Sequence, residues 1–224
     1  MVAEQQRRDV KMVGETSSAG GYFRNVRLTG ESTFSGDVDC VKLTQIGELE
    51  IMGGLTVGEM KMTGECEVRG RLEAGAVGGR GELTVKAGLR AERVKFTGNV
   101  ETGGDCEAGI FKMDGAFGIR GLLGADTVDV RMFGPCTAKE IGGSKIMVRR
   151  SRTKKLLSLV HAGGNSVLHA EQIEGDSVVL EYTEAAVVRG NRVEIGAGCK
   201  IGKVEYRSEL DIHKSATVAE VVQV

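Results

Sequence analysis

The chain has 224 residues, of which 34 are Gly and one is Pro, and its 30 Lys and Arg nearly balance its 31 Asp and Glu. This composition excludes collagen, which needs much Pro, and disfavours a helical bundle, because each interior Gly costs about 1 kcal/mol relative to Ala. A net charge of −1 provides no general attraction to nucleic acid or to anionic lipid. A high content of Gly with almost no Pro favours many short strands joined by tight turns.

The first 20 residues are polar, and we expect residues 1–20 to form a flexible tail. They lack the apolar stretch of a signal peptide, and no run in the sequence reaches the roughly 18 apolar residues of a membrane span. The five Cys lack the spacing of a zinc site, as expected for thiols in a reducing compartment. The sequence therefore predicts a cytoplasmic protein, with the inner face of the membrane as an alternative location.

A 17-residue repeat occupies residues 21–148. Apolar residues recur as three pairs per repeat, and the two members of a pair, spaced by two, share one face of a strand. Three short strands make one triangular coil, which buries its apolar side only when coils stack. The sequence therefore predicts an all-β fold, a three-sided parallel β-helix of about seven coils. The corner glycines that mark the period are Gly30, Gly47, Gly64, Gly81, Gly98 and Gly115.

A basic segment interrupts the repeat at residues 149–172. No aromatic residue lies among its first seven residues, so nucleic-acid binding is not expected. A solvated loop is the simplest interpretation, and contact with a membrane or a partner protein is the alternative. The residues available for that contact are Arg149, Arg150, Arg152, Lys154 and Lys155.

The period returns over residues 173–224 and predicts about three further coils. Two columns with the 17-residue spacing define them, together with the pairs Val193 with Leu210 and Ile201 with Val218. One column holds Val178, Ile195 and Ile212, and the other holds Val187, Val204 and Val221.

The sequence has no phosphate-binding loop, no zinc-site spacing and no recognisable arrangement of catalytic side chains, so neither a metal nor a cofactor is expected. The phosphate-binding patterns GxxxxGK[ST] and GxGxxG are both absent. Four Cys fall on inward positions and are interpreted as core residues, while the three His have no recognisable catalytic partner. A column of Glu on the repeat fits a solvated charged face better than a calcium ladder, with Lys61, Lys95 and Lys112 placed to offset it. The column consists of Glu31, Glu48, Glu65 and Glu82.

One segment favours an enzyme instead. Val193–Gly202 reads VEIGAGCKIG and resembles two hexapeptide repeats of the left-handed β-helix acyltransferases. That family carries many such hexads, whereas here they stop after two and the 17-residue repeat dominates. A non-enzymatic protein is therefore the favoured prediction, with an acyltransferase as the alternative.

The repeat as a whole resembles the bactofilins, polymer-forming cytoskeletal proteins of bacteria. Ser17–Gly30 (SSAGGYFRNVRLTG) and Phe34–Cys40 (FSGDVDC) resemble the entry to that domain. Ile173–Glu184 and Val187–Gly190 resemble the longer bactofilin-like proteins of spore-forming bacteria. The resemblance implies a right-handed β-helix that polymerises end to end without nucleotide and scaffolds cell shape, envelope machinery or motility. It also implies partners: the chain itself, a paralogous bactofilin, or envelope and motility proteins.

The ends of a parallel β-helix support the same expectation. Their backbone N–H and C=O groups are unpaired, and such edges invite another chain to add on. A monomeric partner-binding scaffold, whose ends are blocked, is the alternative. The polymer contacts predicted on the first and last coils are Tyr22, Phe23, Val26, Leu28, Val218, Val221 and Val222.

Overall fold

A computed structural model describes residues 7–151 and 166–224. The described residues form β-strands and turns, and none of them lies in a helix. The predicted all-β, parallel β-helical fold is confirmed. The chain divides into two compact units, one ending at Gly104 and the other beginning at Asp105.

The first unit is a parallel stack in which the first two strands both pair with the third, and from the third onward each strand pairs with the next along the chain. From β3 onward its partners keep the 17-residue spacing, as in Gly30 beside Gly47 and Gly47 beside Gly64. Its strands are β1 (Arg8–Val13), β2 (Thr16–Ser18), β3 (Gly21–Phe34), β4 (Val38–Ile51), β5 (Leu55–Val68), β6 (Leu72–Val85) and β7 (Leu89–Thr102).

Each coil of this unit has three sides, which we name by the inward residues of β4. Side A holds Val38 and Cys40, side B holds Leu43 and Gln45, and side C holds Leu49 and Ile51. All six side chains are at most 3% exposed, so every predicted inward pair of this coil lies in the core. The hydrophobic effect over these stacked columns is what holds the coils together.

The corner glycines between sides B and C stand directly above one another. Gly47 and Gly64 have φ of +113° and +118°, a backbone region that side-chain-bearing residues avoid. A Cβ on Gly64 would lie 2.1 Å from the carbonyl oxygen of Gly47. The 17-residue glycine column is therefore required both by the turn and by the close approach of the coil next to it.

The second unit is also a parallel stack. Its C-terminal strands pair in chain order, each with the next. The strands are β8 (Cys106–Arg150), β9 (Leu168–Leu180), β10 (Thr183–Ile195), β11 (Lys200–Ile212) and β12 (Thr217–Gln223). Strands thus occupy both ends of the predicted interruption, residues 149–150 in β8 and 168–172 in β9.

The coil from β9 to β10 is shorter than predicted. Val193 pairs with Val178, which is closer in sequence than the 17-residue spacing, and Val188 rather than Val187 pairs with Val204. The expected columns from Val178 to Ile195 and from Val187 to Val204 are therefore wrong. The coil is shorter because its corners contain fewer residues, while the inward pairs are kept. Leu180 and Thr183 are three residues apart, whereas the matching inward residues of the first unit, Ile51 and Leu55, are four apart.

The remaining C-terminal pairs follow the prediction. Ile195 lies beside Ile212, and Val204 lies beside Val221, each at the 17-residue spacing. The pairs Val193 with Leu210 and Ile201 with Val218 are also confirmed. In the second unit we name the sides by their order along each strand, independently of the first unit. The inward positions of β11 are then Ile201 on side A, Val204 on side B, and Leu210 and Ile212 on side C.

The expected flexible tail is wrong for residues 8–18. β1 pairs with side B of β3, placing Val10 beside Val26 and Met12 beside Leu28. β2 pairs with side C of β3, placing Thr16 beside Ser32. The offset between these partners is one residue less than the repeat, so the two strands form a partial coil that the 17-residue period does not reveal.

Candidate self-association surfaces at the end coils

The C-terminal coil is incomplete in the described structure. β12 pairs with Lys200–Tyr206 and so covers sides A and B of β11. No strand among the described residues covers the outer edge of side C, Glu209–Ile212. The backbone groups along that edge and along the outer edge of β12 are therefore free to pair with another chain.

Apolar side chains of the core reach solvent at this end. Val221 is 47% exposed and Ile212 is 37% exposed, whereas Val204, one coil further in, is fully buried. Val218 and Leu210 are half-buried. The sequence identified Val218 and Val221 but missed Leu210 and Ile212, although both belong to the column pairs that predicted the last coils.

Val222 plays a different part from its neighbour. It pairs with Glu205 on the outward face of side B, so its side chain belongs to the flank of the coil rather than to the exposed core. Val224 follows β12 and is 68% exposed.

At the N-terminal end, three of the four predicted contact residues are covered. Phe23, Val26 and Leu28 are at most 2% exposed, because they face the core beneath β1. Tyr22 alone of the four is open to solvent, at 51%. With β1 in place, the surface offered to another chain is therefore the outer edge of β1 rather than these core side chains.

β1 is held mainly by hydrogen bonds and ion pairs at the surface. The guanidinium of Arg24 donates two hydrogen bonds to Asp9, at 2.8 and 2.9 Å, and the side-chain and backbone amides of Asn25 donate to the same carboxylate. The Arg24 bonds hold the pKa of Asp9 well below its usual range. Its inward side chains, Val10 and Met12, are only half-buried, so β1 contributes less apolar burial than an interior strand does.

The basic segment lies partly outside the described residues, which do not include Arg152, Lys154 and Lys155. Arg149 is exposed. Arg150 instead places its guanidinium over the ring of Tyr182, 4.6 Å from the centroid, and its backbone N–H donates to Glu181. The contact with Tyr182 makes Arg150 a structural residue of this unit.

The predicted glutamate column is present as a stack of neighbours on successive coils of the first unit, all four exposed. Lys61 does not offset it, because its Nζ lies 2.9 Å from Glu59, which also binds Lys42 at 3.1 Å. No group of three His, Cys, Asp or Glu side chains within the described part of the chain is arranged to hold a metal ion.

The histidines and cysteines have ordinary surroundings. His169 lies 3.5 Å through Nδ1 from Glu184, whose other oxygen accepts a 2.8 Å hydrogen bond from Lys200 that lowers the pKa of that carboxyl. His213 accepts a hydrogen bond from the backbone N–H of Ser215 at an exposed corner. All five thiols are buried, and His161 lies outside the described residues.

Together these features define a parallel β-solenoid protein with an open apolar coil at one end. No family model matches the chain. It is similar to two proteins of Bacillus subtilis (strain 168), each called an uncharacterized protein. YhbE is 42% identical over 101 residues, covering 45% of this chain and 42% of YhbE. YhbF is 47% identical over 77 residues, covering 34% of this chain and 30% of YhbF.

The matched region thus spans less than half of each curated relative. No solved structure matches the chain. Among the described residues there is no helix with the length and hydropathy required to cross a lipid bilayer.

Proposed function

We propose that the protein is a structural scaffold whose copies assemble end to end into filaments without a nucleotide. The observation that carries this proposal is the open C-terminal coil, where core side chains such as Val221 and Ile212 meet solvent next to unpaired strand edges. An apolar surface bordered by free backbone donors and acceptors is the surface that another β-coil covers most favourably.

The lateral surface of the solenoid supports the same proposal. The glutamate column and the ion pairs beside it give the first unit a hydrated flank, which favours association at coil ends over association along the sides. The resemblance to polymer-forming bactofilins points to the same class of function, a scaffold for cell shape, envelope machinery or motility.

Negative-stain electron microscopy of the purified chain, without nucleotide and at low and physiological salt, tests the proposal. We expect filaments a few nanometres wide from the unmodified protein. Val221→Asp should abolish them, because a carboxylate would be buried without a partner in the contact between copies. Circular dichroism should confirm that the variant keeps its strands.

The matched control is Val41→Asp. Val41 is 52% exposed on the flank of the first unit, so this variant receives the same new charge away from the coil ends. It should assemble as the unmodified chain does. Filaments that persist in Val221→Asp contradict the C-terminal contact, and single small particles from the unmodified chain favour a monomeric partner-binding scaffold.

A further inference from the structure

The two ends of the chain are each missing a different side of a coil. At the C-terminal end, β12 supplies sides A and B, and side C is open below Glu209–Ile212. At the N-terminal end, β1 and β2 supply sides B and C, and no described strand covers side A at Gly21–Tyr22. When sides of the same name are aligned across a junction between two copies, the two partial coils overlap on side B. Because each end supplies two of the three sides, any other alignment also places two strands on at least one side.

This overlap prevents a close fit between a C-terminal end and an intact N-terminal end. If both stacked as they stand, side B would carry two strands across the junction, and sides A and C would carry one each. Each of those sides would keep a gap one strand wide, about 4.8 Å. The gaps would leave Leu210 and Ile212 uncovered and their backbone edge unpaired.

Removing β1 alone makes the fit complete. β12 of one copy then supplies sides A and B, and β2 of the next copy supplies side C, so that two chains build one full coil. We propose that successive copies meet head to tail in this way, with β12 replacing β1 on the edge of β3. This inference rests on the proposed filament and states which ends meet and what must move.

The side chains fit the exchange in register. Extending the β11–β12 pairing into β3 of the next copy places Val221 over Val26, where Val10 lies in the free chain. It places Glu220 beside Asn25, where Asp9 supplies a carboxylate to Arg24 in the free chain. The incoming strand therefore replaces both the apolar contact and the negative charge of the strand that leaves.

β1 is also connected so that it can leave while β2 stays. Gly14 joins the two strands with φ of +88°, and a side chain at that position would meet nothing within 4 Å. β1 is held by its ladder with β3, by the half-buried Val10 and Met12, and by surface contacts: the hydrogen bonds of Asp9 with Arg24 and Asn25 and the guanidinium of Arg8 over the ring of Phe23. None of these contacts buries a large apolar side chain of β1 completely.

A disulfide that ties β1 to β3 tests the exchange. Lys11 and Arg27 are exposed register partners, and neighbouring strands about 4.8 Å apart suit a disulfide between them. We expect the oxidised Lys11→Cys, Arg27→Cys variant to lose its filaments and to regain them when reduced. The five native cysteines are buried, so the introduced thiols react selectively.

The control pair is Thr44→Cys with Lys61→Cys, the same position on side B of the next two coils. Its disulfide ties β4 to β5, and its filaments should persist in oxidising buffer. Filaments that survive oxidation equally in both pairs would overturn the exchange.

A second pair measures the junction directly. In the proposed register Val222 lies beside Arg27 of the next copy, as Lys11 does in the free chain. Filaments of the Arg27→Cys, Val222→Cys variant should therefore give a ladder of covalently linked chains on a denaturing gel after oxidation. Filaments without a ladder would refute the head-to-tail exchange but not the filament, whereas an unmodified chain that forms no filament refutes both.

Discussion

Replacing Gly64 with Ala tests the glycine column at the corner between sides B and C. The new Cβ would lie 2.1 Å from the carbonyl oxygen of Gly47, so the two coils must separate by about 1.3 Å or more to reach an ordinary contact of 3.4 Å. That movement stretches backbone hydrogen bonds, each worth about 0.5–1.5 kcal/mol. The φ of +118° costs a further ~1–3 kcal/mol for a residue with a side chain. We expect a total loss of about 3–5 kcal/mol in the free energy of unfolding.

Gly78→Ala is the matched control, because Gly78 lies in β6 of the same unit. The nearest atom to its added Cβ is the carbonyl oxygen of Lys95 at 3.7 Å, an ordinary contact. We expect a change within about 1 kcal/mol, in the stabilising direction because Ala restricts the unfolded chain. Urea denaturation followed by far-UV circular dichroism compares the two variants. Equal stabilities would refute the argument that close approach and backbone conformation require glycine at position 64.

Three further predictions concern the core. Ile119→Asp buries a carboxylate without a partner, and urea denaturation should give a loss of about 3–5 kcal/mol; a loss under about 1 kcal/mol would mean that position 119 does not face the core. Gln45 is buried and its Nε2 donates to the carbonyls of Gly47 and Glu65, so Gln45→Glu sets a carboxylate against two oxygens. Its pKa should rise, so the stability deficit relative to the unmodified chain should be larger at pH 7 than at pH 4, and equal deficits would contradict this. Burial raises the pKa of Cys66 to about 12 from 9.0, so the free energy of unfolding should fall as the pH rises between those values, because only the unfolded chain ionises its thiol. That fall should shrink in Cys66→Ala, and an unchanged pH profile would contradict it.

The core of the first unit could be predicted from the sequence because each coil repeats the same contacts. A residue such as Leu49 contacts the residues 17 positions before and after it, so the repeat in the sequence directly identifies its neighbours in the core. The corner glycines follow from the same regularity, since each stacks on the one before. The two-residue alternation within a strand and the 17-residue spacing between coils therefore identify the same inward residues.

The end coils could not be predicted in the same way. β1 pairs at an offset one residue short of the repeat, so the 17-residue period places Asp9, rather than Val10, in the column of Val26. The two-residue alternation of Val10 and Met12 before Gly14 is the signal that identifies this strand. Farther along, Val193 and Ile195 are both β-branched and apolar, so residue type alone does not decide which of them pairs with Val178.

The sequence identified only part of the candidate contact surface, for a related reason. Whether an inward residue such as Phe23 is covered or open depends on which side of the coil the last strand occupies. That depends on the exact offset of β1 and β12, which the apolar pattern does not fix.

Because the corner glycines stack on one another, the first unit can gain or lose one complete 17-residue repeat and keep the same corner contacts. Because Gly64 touches Gly47 as Gly81 touches Gly64, deleting residues 64–80 would bring Gly81 onto Gly47 with the same contact. Leu83 would then follow Leu49 in the core, and the stack would shorten by about 4.8 Å. Duplication or deletion of one repeat therefore lengthens or shortens the stack of the first unit by one coil, and the coils on either side of the change keep the same type of contact.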